Sequence, residues 1–418
     1  MTKPGVKEYF VSIVFIGVFT FVAATVLLHY FKDPNVQSNS NNGFPCNFST
    51  YCPAILNGEK EAYQLGDNCQ KQWKPETFRL QDLVNCSRII LEHHFITRSL
   101  SQEEASYPLA YIITIHKEFE MFVKLLRAIY NPQNVYCIHV DQKSSEDYKR
   151  KVKSLVDCFE NIFIASKLEH VVYAGFSRLQ TDINCMKDLV KSKVDWMHVI
   201  NLCGQDFPIK TNLEIIQHVK RKWDGKNITP GILQPQNMKY RTQYSYKEEV
   251  NNGNGYVYQL NLKKIEPPVE LELYFGTAYY ALTKKFVKFV LEDTRAKALL
   301  EWSRDTYSPD EHYWVTLNRL NDAPGTTPNV TWEGNVRAVK WAPIAGPSPE
   351  DCYGYYVHDI CVYGLRDLKW ITAQPDMFAN KFEMSTSPLT VKCMEHWHRN
   401  RVLNQTSAII EPHWYLED

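Results

Sequence analysis

The stretch "LAYIITIHKEFEMFVKLLRAIYNPQNVYCIHVD", residues 109–141, predicts the class of fold. It opens with a short apolar run, residues 109–116, of the kind that forms a buried strand. Residues 119–130 place apolar side chains at helical spacing, and residues 134–141 form a second apolar run. A strand, a helix and a strand in this order predict two parallel strands joined by a helix.

The same alternation continues beyond this stretch. We predict a third strand at 161–166, an amphipathic helix at 177–192 and a fourth strand at 196–204. The fold class is therefore α/β with a mixed, mostly parallel sheet. In such sheets, ligands bind outside the carboxyl ends of the strands, and His116 and Asp141 stand at two such ends.

The second half of the chain predicts a less regular mixture of elements. These are a strand at 272–283, helices at 284–293, 296–305 and 311–319, and short strands at 335–341 and 359–364. Because no linker interrupts this half, we predict one domain over residues 106–418.

A long uncharged run near the N-terminus predicts a membrane anchor. Residues 9–31 carry no Asp, Glu, Lys or Arg, and this run is long enough for a helix to cross a bilayer. Lys3 and Lys7 precede it and favour a cytoplasmic N-terminus formed by residues 1–8. The alternative is a signal peptide cleaved at residues 22–24, but the apolar run continues through Leu28. We favour an uncleaved signal anchor, followed by a polar, breaker-rich lumenal stem at 32–105.

Cysteines and glycosylation motifs also indicate the secretory lumen. The eleven cysteines contain no C-x-x-C pair, which predicts five disulfides and one free thiol rather than a zinc cluster. Five N-x-S/T motifs predict surface glycosylation, at Asn47, Asn85, Asn227, Asn329 and Asn404. With 47 basic and 47 acidic residues, the chain shows no sign of binding nucleic acid.

The string "YSPDEHYW", residues 307–314, allows a structural and a catalytic interpretation. Ser308 followed three residues later by Glu311 has the spacing of a helix capping box, with Pro309 at the first helical position. Alternatively, Glu311 is a catalytic acid or base. The pattern by itself favours the cap.

Other candidate residues are equally open on local pattern alone. Asp141 could bind a nucleotide or cap a strand-end turn, and Asp206 could serve a site or a turn before Pro208. Cys203 is more typical of a packed thiol than of a nucleophile. Lys381 could offset the negative charge of a leaving diphosphate or could be a solvated surface lysine. The chain has no Asp-x-Asp, and one carboxylate is a poor site for a divalent cation, so we expect no metal.

Several strings together resemble the core-2/I-branching β-1,6-N-acetylglucosaminyltransferase family. They are "RAIYNPQNVYCIHVD", "VVYAGFSRLQTDINCMKDL", "INLCGQDFPIKTN", "SPDEHYWVTLNR" and "FANKF". The resemblance implies a GT-A-like catalytic domain in a single-pass type II membrane protein of the Golgi. It also implies metal-independent, inverting transfer of GlcNAc from UDP-GlcNAc to the 6-hydroxyl of an acceptor sugar, with no cofactor.

The resemblance assigns roles to individual residues. Glu311 matches the catalytic base, which inversion requires. We expected the helix N-terminus to lower its pKa. The residues that match the UDP-sugar site are Thr114, Ile115, His116, Asp141, Gln142, Lys143, Tyr173 and Lys381. His358 stands where the family has a diphosphate-binding arginine. The implied disulfides are Cys52–Cys393, Cys86–Cys158, Cys137–Cys185 and Cys352–Cys361, with Cys46–Cys69 as a fifth and Cys203 free.

The acceptor is less well defined. Residues 228–241 lack an acid that mucin-type members carry, which leaves Lys239, Arg241 and Trp341 as candidates. The segment "GKNITPG" is closer to I-branching members, so we expect poly-N-acetyllactosamine branching, with core-2 O-glycan branching as the near alternative. Expected partners are glycoprotein or glycolipid acceptors, with a homodimer left open. The competing hypothesis is a catalytically silent glycan-binding protein of the same fold.

Overall fold

A computed structural model describes residues 48–74, 78–251, 253–268, 271–329, 332–342 and 351–416. None of the helices in these ranges combines the length and apolarity needed to cross a membrane. The predicted anchor at 9–31, Cys46 and Asn47 lie outside them. Residues 47–418 belong to one compact unit.

In the first half of the described chain, four helices precede a region in which strands and helices mostly alternate. They are α1 (Phe48–Asn57), α2 (Lys60–Gln72), α3 (Cys86–Glu92), α4 (Gln102–Ala105), β1 (Leu109–Ile115), α5 (Phe119–Ile129), β2 (Val135–Val140), α6 (Glu146–Val156), β3 (Ile162–Ile164), α7 (Phe176–Leu189), β4 (His198–Cys203), β5 (Asp206–Pro208) and α8 (Asn212–Lys222).

The second half contains several short strands together with the longest helix and the longest strand of the described residues. They are β6 (Gly231–Leu233), α9 (Tyr240–Gln243), β7 (Tyr244–Asn251), β8 (Asn254–Lys263), β9 (Tyr274–Gly276), β10 (Ala281–Thr283), α10 (Lys284–Glu292), α11 (Thr294–Trp302), α12 (Tyr313–Leu317), β11 (Arg337–Val339), β12 (Tyr355–Val357), β13 (Ile360–Val362), α13 (Leu368–Ala373), β14 (Phe378–Asn380) and α14 (Pro388–Gln405).

The central sheet has the order β10-β4-β1-β2-β3. β1 pairs in parallel with β2 and β4, β2 pairs in parallel with β3, and only β10 is antiparallel. The predicted mixed, mostly parallel α/β architecture is therefore confirmed.

Alternation along β1 explains why its sequence is almost wholly apolar. Leu109, Tyr111 and Ile113 belong to a core cluster shared with α5, α6 and α8. Ala110 and Ile112 belong to a second cluster shared with α7, α10 and α11. Both faces of the sheet are covered, so both sets of side chains are buried.

Residues 48–105, which the sequence assigned to a stem, fold with the domain. Leu83, Ile89 and Phe95 join the core cluster on one face of the sheet. The disulfide Cys52–Cys393 joins α1 to α14, and Cys86–Cys158 joins α3 to the end of α6. The predicted domain boundary at residue 106 therefore falls inside the compact unit. The apolar residues of this segment follow no clear period, so their pattern did not indicate that they are buried.

Candidate active site

Asp141, directly after β2, is held by a chain segment that crosses the sheet edge. One of its carboxylate oxygens accepts hydrogen bonds from the backbone N–H of Lys143, at 2.9 Å, and of Val171, at 3.3 Å. The other lies 3.1 Å from the ammonium of Lys143. The backbone N–H of Gln142 donates to the carbonyl of Glu169 at 2.9 Å. These hydrogen bonds fix Asp141 at the end of β2 and hold the segment from residue 169 onward next to that strand end.

The end of β1 contributes mainly backbone to the same edge. The carbonyl of Ile115 accepts the N–H of Asp141 at 2.8 Å, and the carbonyl of Thr114 accepts the N–H of Gly204 at 3.0 Å. His116 is exposed, and its carbonyl accepts the hydroxyl of Ser144 at 2.9 Å. The predicted UDP-sugar residues 114–116 and 141–143 therefore share one edge.

Tyr173 connects this edge with a distant hairpin. Its ring stacks on the imidazole of His358, with centroids 4.3 Å apart and planes 14° apart, and 58 % of the tyrosine is exposed. His358 and Asp359 form the turn between β12 and β13, both with positive φ, as two-residue hairpin turns require. The disulfide Cys352–Cys361 closes the base of this hairpin.

Lys381 lies under the same hairpin. Its ammonium donates to the carbonyl of Val357, one residue before His358, at 3.0 Å. Only 7 % of Lys381 is exposed, and burial lowers the pKa of its ammonium. His358, which stacks on Tyr173, and Lys381, which bonds to the residue before His358, therefore meet at this hairpin. In the sequence, 208 positions separate Lys381 from Tyr173.

The predicted helix cap at Ser308 is wrong. Ser308 has φ of 46°, in the left-handed region, and its side chain makes no capping bond. A 3-10 helix at Pro309–Glu311 follows, and α12 begins only at Tyr313. The N–H of Ser308 donates to the carbonyl of Ala174 at 2.8 Å, which ties this turn to the segment that carries Tyr173.

Glu311 pairs with Arg241 instead of capping a helix. One carboxylate oxygen of Glu311 accepts a hydrogen bond from the Arg241 guanidinium, and the two side chains keep 28 % and 16 % exposure. Burial among protein atoms raises the pKa of Glu311 to about 7, while Arg241 opposes this rise and Asp310 adds to it. We expected a lowered pKa, and that expectation is wrong because desolvation outweighs the favourable charges.

A half-buried arginine, Arg178, interacts electrostatically with Asp310 in this turn. Arg178 on α7 donates to Asp182 at 2.8 Å and to Thr181 at 3.1 Å. Asp310 is 7 % exposed; burial raises the pKa of its carboxyl and the positive charge of Arg178 lowers it. Sequence reasoning missed Arg178, although its spacing of four from Asp182 on a helix is a recognisable signal of an ion pair.

The other acceptor candidates occupy different places. Lys239 directly precedes α9, two residues from Arg241. Trp341 is 53 % exposed and forms an isolated backbone bridge with Ile360, beside the His358 turn. The structure therefore places Arg241 in contact with Glu311, and it places Trp341 next to the hairpin that carries His358.

The cysteine pairing agrees with the framework that the resemblance implies. Four bridges join pairs of cysteines that both lie in the described ranges, Cys52–Cys393, Cys86–Cys158, Cys137–Cys185 and Cys352–Cys361, and Cys203 is a free thiol. Cys69 is disulfide-bonded, while Cys46, its expected partner, is outside the described residues. Burial raises the pKa of the Cys203 thiol to about 12, which suits a packed thiol rather than a nucleophile.

One glycosylation expectation conflicts with the structure. Asn227 is fully buried; its amide donates to Asn318 at 2.9 Å and to the carbonyl of Pro324 at 2.8 Å. A glycan on this nitrogen would replace one of these two N–H donors and has no room at a fully buried side chain, so Asn227 is a structural residue. The motif alone could not reveal its burial. Asn85, Asn329 and Asn404 are exposed.

The described residues contain one cluster with metal-ligating side chains, formed by Cys352, Cys361 and Asp367. Its two sulfurs are already joined in a disulfide. At the sheet edge, the carboxylate of Asp141 is occupied by two N–H groups and the Lys143 ammonium. Neither place offers the several free oxygen ligands that Mg²⁺ or Mn²⁺ prefers.

This arrangement brings the residues predicted for the UDP-sugar site to one end of the sheet, beside the hairpin that carries His358, and it leaves the carboxylate of Glu311 partly accessible. Comparisons with known proteins identify the class of protein. The model of the Core-2/I-Branching enzyme family matches residues 109–372. The chain is 52 % identical over 424 residues, covering 100 % of this chain and 96 % of the relative, to a pig protein named probable beta-1,3-galactosyl-O-glycosyl-glycoprotein beta-1,6-N-acetylglucosaminyltransferase 7.

Two human relatives extend the comparison. One carries the same name as the pig protein and is 57 % identical, with 88 % of this chain and 85 % of the relative covered. The other is named N-acetyllactosaminide beta-1,6-N-acetylglucosaminyl-transferase and is 54 % identical, with 80 % and 83 % covered. The chain therefore belongs to the Core-2/I-branching enzyme family and is a glycosyltransferase, and both predictions are confirmed.

Proposed function

We propose that this chain transfers GlcNAc from UDP-GlcNAc to the 6-hydroxyl of an acceptor galactose or GalNAc, with inversion, and so makes glycan branches. The predicted branching GlcNAc transfer agrees with the names of the three relatives. The observation that carries the mechanism is Glu311, a partly accessible carboxylate whose pKa is about 7. A base with a pKa near the working pH is suited to proton transfer.

In the proposed mechanism, Glu311 takes the proton from the attacking 6-hydroxyl while the oxygen of that hydroxyl bonds to the anomeric carbon. The bond between this carbon and UDP breaks on the opposite face. Arg241 orients the carboxylate by donating to one of its oxygens. Asp141 and Tyr173 would hold the uridine part, while Lys381 and His358 would offset the charge that develops on the leaving diphosphate.

Metal independence is part of the proposal. Its support is the chemistry of the donor set, because Asp141 is a single acid whose oxygens already serve local bonds. We expect turnover to change less than about twofold when EDTA replaces added divalent cations, since the offsetting charge comes from side chains. A loss of activity in EDTA, restored by Mn²⁺, would contradict this part of the proposal.

The acceptor assignment is also a proposal. The names of the relatives divide between beta-1,3-galactosyl-O-glycosyl-glycoprotein and N-acetyllactosaminide acceptors. We favour linear N-acetyllactosamine because residues 228–241 hold Lys239 and Arg241 but lack an acid. Core-2 branching is the near alternative, and nothing in the comparisons supports a catalytically silent binding protein.

We also propose a GT-A-like lumenal domain of a single-pass type II Golgi membrane protein, anchored by residues 9–31. The disulfides and the exposed motifs at Asn85, Asn329 and Asn404 support an oxidising, glycosylating compartment.

Transfer from radiolabelled UDP-GlcNAc by the purified full chain tests the proposed function. The assay offers a core-1 disaccharide and linear lactosamine side by side, with product linkage determined by NMR. A β-1,6 branch on either acceptor supports the proposal and identifies the acceptor class. Bound UDP without transfer to either would reject it in favour of the silent protein.

A further inference from the structure

A row of aromatic rings borders the Arg241–Glu311 pair. The guanidinium carbon of Arg241 lies 5.8 Å from the ring centre of Tyr240, 5.2 Å from Phe275 and 5.3 Å from Tyr307. Trp332 extends the row, because its ring meets Phe275 edge-on with centroids 6.1 Å apart. Three rings thus surround the cation, and the fourth lies beyond it.

The row is assembled from separate parts of the chain that the fold ties together. Tyr307 is fixed to α9 by its backbone N–H, which donates to the carbonyl of Arg241 at 2.9 Å. Phe275 is held in β9, which pairs with β6. Such a framework positions the rings without help from a ligand.

Exposure differs along the row in a way that a packed core does not explain. Tyr240 is 43 % exposed and Trp332 is 39 % exposed, while Phe275 and Tyr307 are partly buried. The contact with Arg241 accounts for the inner rings. Trp332, in contrast, joins the row through Phe275 and presents a large apolar surface to solvent, which is typical of a binding surface.

The chemistry of the row suits a saccharide. Ligand sites combine aromatic walls with a few fixed polar groups, and a pyranose has an apolar C–H face and a polar rim of hydroxyls. Arg241, Glu311 and Lys239 offer polar groups at one end, and Trp332 offers an apolar face at the other. The uridine and diphosphate candidates lie elsewhere, around Tyr173 and the His358 hairpin.

We propose that Tyr240, Phe275, Tyr307 and Trp332 form an acceptor subsite that binds sugars beyond the one that reacts. The subsite favours a linear oligosaccharide over a disaccharide, because the additional sugars of the longer ligand gain contacts with the rings beyond Arg241, Trp332 above all. This inference rests on the proposed function for the identity of the reacting sugar, and it adds the residues that set acceptor length.

The first test is binding, which needs no turnover. Calorimetry measures the affinity of the UDP-loaded full chain for a lactosamine tetrasaccharide and for the disaccharide. We compare wild type with Trp332→Ala and Tyr240→Ala, and with Tyr415→Ala as a control for truncating an aromatic residue that is 54 % exposed. Both row variants should bind the tetrasaccharide about 3- to 10-fold more weakly, as expected for losing one aromatic contact. Affinity for the disaccharide should change less than twofold in Trp332→Ala, whose ring does not touch Arg241, and the control should change less than twofold for both ligands.

Unchanged tetrasaccharide affinity in both row variants, with wild-type melting temperatures, would overturn the proposal. Equal weakening of both ligands would also overturn it, because it would indicate a structural role of the rings. Phe275→Leu removes an aromatic ring of the row but keeps a similar apolar volume. Weaker tetrasaccharide binding by this variant could therefore not be attributed to misfolding around an unfilled cavity.

Turnover then separates the two claims. If the wild type transfers GlcNAc, the row variants should raise KM for the tetrasaccharide, with KM for UDP-GlcNAc and hydrolysis of donor without acceptor unchanged. If the wild type binds the tetrasaccharide through this row but transfers nothing, the proposed function fails while the subsite stands.

Discussion

Two arginine–carboxylate pairs in this molecule have the same chemistry and opposite environments. Arg337 and Asp206 are 1 % and 0 % exposed, with a 3.0 Å contact. Arg241 and Glu311 keep 16 % and 28 % exposure. The first pair is enclosed by further partners: Asp206 also accepts the N–H of Cys203 at 2.6 Å and the amide of Asn380 at 2.9 Å.

The difference separates a structural pair from the pair that we propose to act in catalysis. The carboxylate of Asp206 makes its hydrogen bonds to other parts of the fold, and the bond to Asn380 links β5 to β14. We therefore assign its charge a structural role. Glu311 has Arg241 as its charged partner and a pKa raised to about 7, which leaves the carboxylate able to exchange a proton with a substrate. Solvent access and partner number, rather than the residue types, decide which pair can do chemistry.

Glu311→Gln gives the largest expected effect. The amide still accepts a hydrogen bond from Arg241 but cannot take a proton, so kcat should fall by about 10²- to 10⁴-fold. Initial rates of GlcNAc transfer measure this, with UDP affinity as the control for an intact donor site. If the variant kept more than a tenth of the activity, Glu311 would not be the base.

Asp206→Asn should show the reverse pattern in stability. It leaves the Arg337 charge buried without its counter-ion, which costs about 3–5 kcal/mol in the free energy of unfolding. Urea denaturation followed by circular dichroism measures this, and Glu311→Gln is the matched control that should lose little. Equal losses in both variants would remove the distinction between the pairs.

Arg241→Gln should move the acid limb of the kcat/KM profile to higher pH by about one unit or more. The positive charge of Arg241 lowers the pKa of Glu311, so its removal raises that pKa. Arg241→Lys keeps the charge and should shift the limb less. A shift to lower pH in Arg241→Gln would contradict the assigned electrostatics.

The smallest expected effect concerns how the stability of the folded chain depends on pH. The pKa of Glu311 is higher in the folded chain, about 7, than its ordinary value of 4.5, so its ionisation weakens the folded state as pH rises between these values. Glu311→Gln should therefore melt at an equal or slightly higher temperature than wild type at pH 8, and the gap should shrink at pH 5. A gap that grows toward pH 5 would have the wrong sign.

Sequence patterns predicted the sheet well and the turn poorly, for physical reasons. β1, β2 and β4 are short apolar runs whose burial on both faces leaves a clear local signal. The interpretation of Glu311 as a cap failed because Ser308 adopts a left-handed conformation, and because Glu311 meets Arg241, which is 70 positions earlier. Contacts of that range leave no local pattern.

Resemblance supplied what local pattern could not. It assigned roles to Glu311, Tyr173 and Lys381, which stay predictions, and it implied the four observed disulfides. It did not indicate the desolvation that raises the pKa of Glu311. The aromatic row around Arg241 comes from separate segments and was likewise invisible before folding.

The pH dependence of kcat/KM for wild type and Glu311→Gln, measured side by side, tests the central claim most directly. The account predicts a wild-type rate that rises through an apparent pKa near 7, and a residual rate in the variant without that limb. If the variant retained the same limb, the titrating base would be another group, and the role assigned to Glu311 would be contradicted.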